Sequence, residues 1–124
     1  MAGMTQSLED DLEAIYMCVL EGRPAQVSDV ANQLNVKMPS VVKAIRELKR
    51  LGLASQDPYS PIVLTAKGTR VAKSVLGRHK LIRTFLVKLG VSGRNADRDA
   101  CLMEHILSAE TLDKIRTYTE KEGK

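Results

Sequence analysis

The segment Cys101-Leu102-Met103-Glu104-His105 places a thiol, a carboxylate and an imidazole within one short stretch. On a helix, positions i, i+3 and i+4 share a face, so a helical segment would aim all three the same way. Thiolate, carboxylate and neutral imidazole are the side chains that ligate first-row divalent ions. Read alone, the triplet is also a small core thiol beside a surface ion pair. A second pair, Asp10 and Glu13, is spaced i, i+3 on the side of its helix away from an apolar stripe. Neighbouring carboxylates repel unless a cation lies between them; a solvated acidic helix start would account for them too. His79 falls at the edge of a long apolar stripe, which predicts partial burial, as a ligand or as an ordinary core histidine.

A different chemistry is spaced along the segment from Pro39 to Leu51. As a helix it turns Val41, Ala44, Ile45 and Leu48 inward and Ser40, Lys43, Arg46, Glu47 and Arg50 outward. Lysine and arginine on such a face reach phosphates or guanine edges, and a serine reaches either. Charge is segregated along the chain. Residues 1–22 carry five acids and no base, residues 23–83 twelve bases and three acids, and residues 84–124 seven of each. The basic middle suits a polyanion, most simply nucleic acid, although solvated helix faces give the same tally. If about five cations neutralise phosphates, log K falls with log salt at a slope of about −4 to −5.

These groups must be held by six helices and a hairpin. Leu8, Leu12, Ile15, Tyr16 and Val19 form the stripe of a first helix capped by Ser7 and ended by Gly22-Arg23-Pro24. A short helix from Ser28 or Asp29 to Leu34, a tight turn at Asn35-Val36, and the Pro39–Leu51 helix follow. Leu53–Gln56 and Pro61–Thr65 read as two strands around the turn Asp57-Pro58-Tyr59-Ser60. Two helices joined by a tight turn and followed by a hairpin is the winged helix-turn-helix order. Thr65 then caps a long helix from Ala66 to Leu89. A helix over Asn95–Leu107 and one over Ala109–Glu120, capped by Ser108, complete a mainly α chain. Leu102, Met103, Ile106 and Leu107, opposite the donor triplet, suit a core or a dimer seam.

At 124 residues and 3% aromatic content, the chain has a thin aliphatic core, for which a partner subunit is an expected supplement. No apolar run approaches the roughly 18 residues of a membrane span, and the N-terminus lacks the basic and apolar regions of a signal peptide. Cys18 and Cys101 form neither a disulfide framework nor a CxxC site. The expectation is a reduced, cytoplasmic protein without membrane attachment.

Ser7-Leu8-Glu9-Asp10, Glu13-Ala14-Ile15-Tyr16, Arg78-His79, Phe85-Leu86 and Glu104-His105-Ile106-Leu107-Ser108 together resemble the DtxR/MntR metalloregulators, iron- or manganese-dependent transcriptional repressors, from Ser7 to about Leu112. The resemblance implies a winged helix-turn-helix DNA-binding domain, here residues 1–65, followed by a helical metal-binding and dimerisation domain, here 66–124. It implies metal ligands at Asp10, Glu13, His79, Cys101, Glu104 and His105, and DNA contacts at Lys37, Pro39, Ser40, Lys43 and Arg50, to which the helix wheel adds Arg46. It also implies a homodimer and repression activated by Mn²⁺ or Fe²⁺; two-fold symmetry then predicts a palindromic double-stranded operator, and the helix wheel offers Leu102, Met103 and Ile106 for the seam.

The chain departs from that pattern at three places. Asp10 resembles the manganese branch and Cys101 the iron branch, so the donor set is a hybrid; oxygen-rich ligation suits Mn²⁺ and a thiolate favours softer ions. Arg83 stands where relatives carry a carboxylate for a second ion. Either its guanidinium replaces that cation, leaving one ion per subunit, or it pairs with Asp97, Asp99 or a partner subunit. Pro61 lies in the wing, where glycine is frequent. Donors from both halves of the chain imply a metal that clamps one half to the other and shifts the dimer toward the spacing of successive major grooves. The competing reading is a winged-helix regulator indifferent to metal. An enzyme is not expected: six donors leave no open coordination position.

Overall fold

The computed structural model describes residues 4–122. Helix α1 spans Gln6–Leu20, and its N-cap is Thr5, whose Oγ1 accepts from the Leu8 amide at 3.1 Å. The sequence offers Ser7 for that role. Thr5 takes it because its backbone is extended while Ser7 is already helical. Helix α2 (Val27–Leu34) begins before the expected Ser28 or Asp29. Asp29 serves three residues in, reaching back to accept from the Gln26 amide at 3.1 Å, so the helix starts upstream of it. Asn35, in the left-handed region at φ 56°, makes the tight turn into α3 (Met38–Arg50), with Pro39 in the first turn.

The hairpin is shorter than the expected pair of strands. β1 (Ala54–Ser55) pairs antiparallel with β2 (Val63–Leu64), with Ala54 opposite Leu64 and Ser55 opposite Val63. The Ile62 amide donates to the Ala25 carbonyl at 2.8 Å and ties the wing to the α1–α2 connection. Between the strands, Tyr59 is fully exposed at φ 63°. Helix α4 (Ala66–Lys88) starts at Thr65, whose Oγ1 accepts from the Gly68 amide at 3.0 Å and donates to the Gly52 carbonyl at 2.7 Å. Gly68 is needed there: a Cβ would lie 1.9 Å from the Leu53 carbonyl oxygen.

Helix α5 (Gly93–Met103) is capped by Ser92, and α6 (Ala109–Glu122) by Ser108, whose Oγ accepts from the Thr111 amide at 3.1 Å. The expected helix to Leu107 is not formed, and Glu104 is the C-cap of α5. The amides of His105 and Ile106 donate to the carbonyls three residues back, at 3.3 and 3.1 Å, tightening the chain into a turn before Ser108 opens α6. His105 is therefore off the helix, which corrects the single helical face expected for Cys101, Glu104 and His105.

The chain forms two compact units that divide after Lys73, within α4. In the first, α1, α2 and α3 bury Leu12, Ile15, Val30, Val41, Ile45, Leu48 and Leu53. Cys18, beside the apolar stripe of α1, is buried with them. In the second, Ile82, Ala100 and Leu112 form a cluster joined by Leu81, Leu86, Met103 and Leu107. Phe85 and Tyr118 meet edge to face at 5.8 Å. Among the described residues, no helix is long and apolar enough to cross a membrane.

Candidate metal centre and nucleic-acid interface

In the second unit, α4 presents His79, α5 presents Cys101, and the turn after α5 presents Glu104. Nδ1 of His79 lies 3.8 Å from Sγ of Cys101 and 3.6 Å from Oε1 of Glu104. One donor atom from each lies within 4.8 Å of the others. Two atoms bound to one first-row ion at roughly 2.0–2.3 Å lie about 3.0–3.7 Å apart, so the nitrogen–oxygen pair stands at that spacing and the sulfur slightly beyond it. The Glu104 side chain is 0% exposed, a costly position for a carboxylate unless a positive charge compensates it. His105 places Nε2 3.7 Å from the same Oε1, so Glu104 stands between two histidines.

His79 is held from its other side. Its Nε2 lies 2.8 Å from Oδ1 of Asp97, and Nε of Arg83 lies 3.6 Å from that oxygen. Of the two fates open to Arg83, the side chain has taken the ion pair with Asp97. Sequence reasoning missed the link between Asp97 and His79, because the packing of α5 on α4 makes it and the two residues share no spacing.

The other two expected ligands, Asp10 and Glu13, lie one turn apart on α1 in the first unit, both half-buried. Between them in sequence, Asp11 is 5% exposed. Burial, and then the charge of Asp10, push its carboxyl up to about 6. Its signal was in the sequence: it lies three residues after Leu8 and four before Ile15, inside the apolar stripe.

The helix-turn-helix face is also in the first unit. Val41, Ala44, Ile45 and Leu48 are buried, while Lys37, Pro39, Ser40, Lys43, Arg46 and Arg50 are exposed. Arg50 is not independent of its neighbours. Its guanidinium donates to both carboxylate oxygens of Glu47, which lowers the Glu47 carboxyl and raises the Arg50 guanidinium through that hydrogen-bonded pair. A groove of about 480 Å³ runs along this helix between Met38, Pro39, Val42, Lys43 and Arg46. Met38 and Val42 are exposed apolar side chains that the cation-centred reading passed over; an apolar residue on a cationic outward face is the signal that could have found them. In the second unit Leu102 and Ile106 are exposed, and Met103 is partly buried against the Ile82 cluster.

Comparisons with known proteins cover nearly the whole chain. Residues 3–62 match the profile of the iron-dependent repressor N-terminal DNA-binding domain, and residues 65–122 that of the iron-dependent repressor metal-binding and dimerisation domain. An HTH-type transcriptional regulator of Methanocaldococcus jannaschii is 42% identical over 120 residues, covering 95% of this chain and 96% of the relative. The transcriptional regulator MntR of Escherichia coli O157:H7 is 39% identical over 116 residues, covering 94% of this chain and 75% of the relative. Among solved structures, the manganese regulator SloR superposes with a TM-score of 0.82 at 25% identity, and IdeR of T. acidophilum with 0.80 at 29%. Each superposition covers 94% of this chain, which spans 55% and 54% of the two solved chains.

Proposed function

The chain belongs to the iron-dependent repressor family, and from that premise we propose that it is a metal-responsive DNA-binding repressor of metal-ion homeostasis, acting as a homodimer. It is a transcriptional regulator and not an enzyme. The observation that carries the metal response is the convergence of His79, Cys101 and Glu104 at donor spacing, within the segment that matches a metal-binding and dimerisation domain.

The bound ion is a divalent first-row metal, Mn²⁺ or Fe²⁺, with one tightly held per subunit, because Arg83, although paired with Asp97, still offers no carboxylate to a second ion. The three converging residues supply an imidazole, a thiolate and a carboxylate; Asp10, Glu13 and His105 complete the proposed ligand set. When bound, the ion supplies positive charge to a donor set that is otherwise anionic. Cys101 brings a softer donor than an all-oxygen set and widens the choice toward Fe²⁺. Leu102, Met103 and Ile106 are the proposed seam between two copies. The operator is a palindrome of double-stranded DNA read by Lys37, Pro39, Ser40, Lys43, Arg46 and Arg50. A dimer of helix-turn-helix units engages half-sites about 34 Å apart. Such a protein works in the cytoplasm. Ligands drawn from both halves of the chain couple metal to DNA, and the coupling is reciprocal: DNA tightens metal binding by the factor by which metal tightens DNA binding.

The test is fluorescence anisotropy with duplexes selected from a randomised library, titrated in excess chelator, with Mn²⁺, and anaerobically with Fe²⁺. Tight binding only with metal is the expected result. Equal binding in chelator would leave a winged-helix DNA binder without the metal switch.

A further inference from the structure

We propose that Asp97, braced by Arg83, is a positioning residue that fixes His79 as an Nδ1 donor toward Cys101 and Glu104; this rests on the metal-binding reading above. The imidazole has two nitrogens with different neighbours. Nε2 faces the Asp97 carboxylate at 2.8 Å, a hydrogen-bond distance, and a carboxylate only accepts. In the neutral ring the proton therefore sits on Nε2. That leaves Nδ1 as the lone-pair nitrogen, and Nδ1 is the atom turned to Sγ of Cys101 at 3.8 Å and Oε1 of Glu104 at 3.6 Å. In the metal-free protein the same tautomer lets Nδ1 accept from the Cys101 thiol. With metal, the thiol proton leaves to solvent and the ring needs no rotation or tautomer change to offer its lone pair.

Arg83 supplies the second half of the device. Its Nε lies 3.6 Å from the Asp97 oxygen that holds the ring. The Arg83 and Asp97 side chains are 46% and 60% exposed, so the pair contributes little to stability. What it supplies is orientation: a free aspartate at that exposure samples several rotamers, and a guanidinium on one oxygen narrows them. A partner that hydrogen-bonds the far nitrogen of a ligating histidine sets its tautomer and ring plane, and removing such a partner costs about 10- to 100-fold in metal affinity. The exposure of Asp97 places its effect at the lower end.

The experiment uses the full chain with Co²⁺ as the probe. Histidine tautomers are read by long-range ¹H–¹⁵N correlation in the metal-free protein at alkaline pH, with Arg83→Ala, Asp97→Ala, Asp97→Asn and His79→Ala beside the wild type. Co²⁺ affinity is read by chelator competition, with thiolate-to-cobalt charge transfer reporting Cys101. The expected wild-type spectrum is the Nε2–H form of His79. Asp97→Ala should mix the two tautomers and weaken Co²⁺ about 10-fold. Asp97→Asn keeps an accepting oxygen and should restore the tautomer, with a smaller loss; Arg83→Ala should weaken Co²⁺ less than Asp97→Ala. An Asp97→Ala protein with the wild-type tautomer and wild-type Co²⁺ affinity, while His79→Ala loses Co²⁺, would overturn the positioning role and leave the metal site standing. A wild type that takes no Co²⁺, or a His79→Ala variant that binds it as the wild type does, would remove the metal site and the proposal together.

Discussion

Oε1 of Glu104, on a side chain shut off from solvent, lies 3.6 Å from Nδ1 of His79. A buried carboxylate is offset by a nearby positive charge, which a divalent ion held with His79 would supply. Glu104→Gln keeps the volume and removes the charge. The rise in stability on adding Mn²⁺, about 2.7 kcal/mol at a hundredfold excess over Kd, should vanish. Thermal unfolding with and without Mn²⁺ checks this, and a full metal-induced rise in the variant would exclude Glu104 as a ligand.

The Glu47–Arg50 pair holds one of the proposed DNA-contacting cations beside a carboxylate that itself repels phosphate. Glu47→Gln should raise DNA affinity in Mn²⁺ and steepen the salt dependence. Lys43→Ala should do the reverse, reducing the slope of log K against log salt by about 1 if the lysine neutralises one phosphate. Anisotropy titrations at several salt concentrations measure both. Equal slopes for wild type and Lys43→Ala would take Lys43 off the phosphate backbone.

The helices were legible because their apolar residues recur at helical spacing: Leu12 and Ile15 in α1, Val41, Ile45 and Leu48 in α3, and Val75 and Ile82 in α4 are all buried. Their ends were less so. Thr5 and Ser7 are both good caps, and only the backbone conformation chooses between them. The donor triplet is visible in residue types alone, but its geometry is not. Helical spacing would set Cys101, Glu104 and His105 on one face, whereas α5 ends at Met103 and Glu104 lies between His79 and His105. The Asp97–His79 contact joins α4 to α5 across the Leu89–Ser92 connection, and no periodicity of either helix encodes it.

Two glycines of α4 should respond to alanine with opposite signs. At Gly68 the new methyl would lie 1.9 Å from the Leu53 carbonyl oxygen, a backbone atom that cannot swing away. Gly68→Ala should therefore destabilise by about 1–3 kcal/mol or more. At Gly77 nothing stands within 4 Å of the added carbon, and replacing glycine in a helix interior gains about 0.5–1 kcal/mol. Urea unfolding of each variant in chelator reads the difference. A stabilised Gly68→Ala would mean that the start of α4 is not seated against Leu53 as described.

Asp11 gives the metal-free protein a pH dependence whose sign can be worked out. Burial and Asp10 raise its folded carboxyl to about 6, above the ordinary value of 3.8. Between those values the folded chain binds the proton and the unfolded chain does not, so this group stabilises the fold as pH falls from about 6 toward 4 and opposes folding above that window. Asp11→Asn is neutral at every pH. In chelator at pH 7.5 it should be more stable than the wild type by on the order of 1–2 kcal/mol, the full shift being reduced by partial solvation of the carboxyl. By pH 4 the advantage should shrink toward zero, because the wild-type side chain is then protonated as well. The comparison is the difference in Tm between the two proteins at each pH, so the titration of the other carboxylates cancels. An advantage independent of pH would locate the benefit in packing, and no advantage at pH 7.5 would mean that the Asp11 carboxylate is solvated in the folded chain.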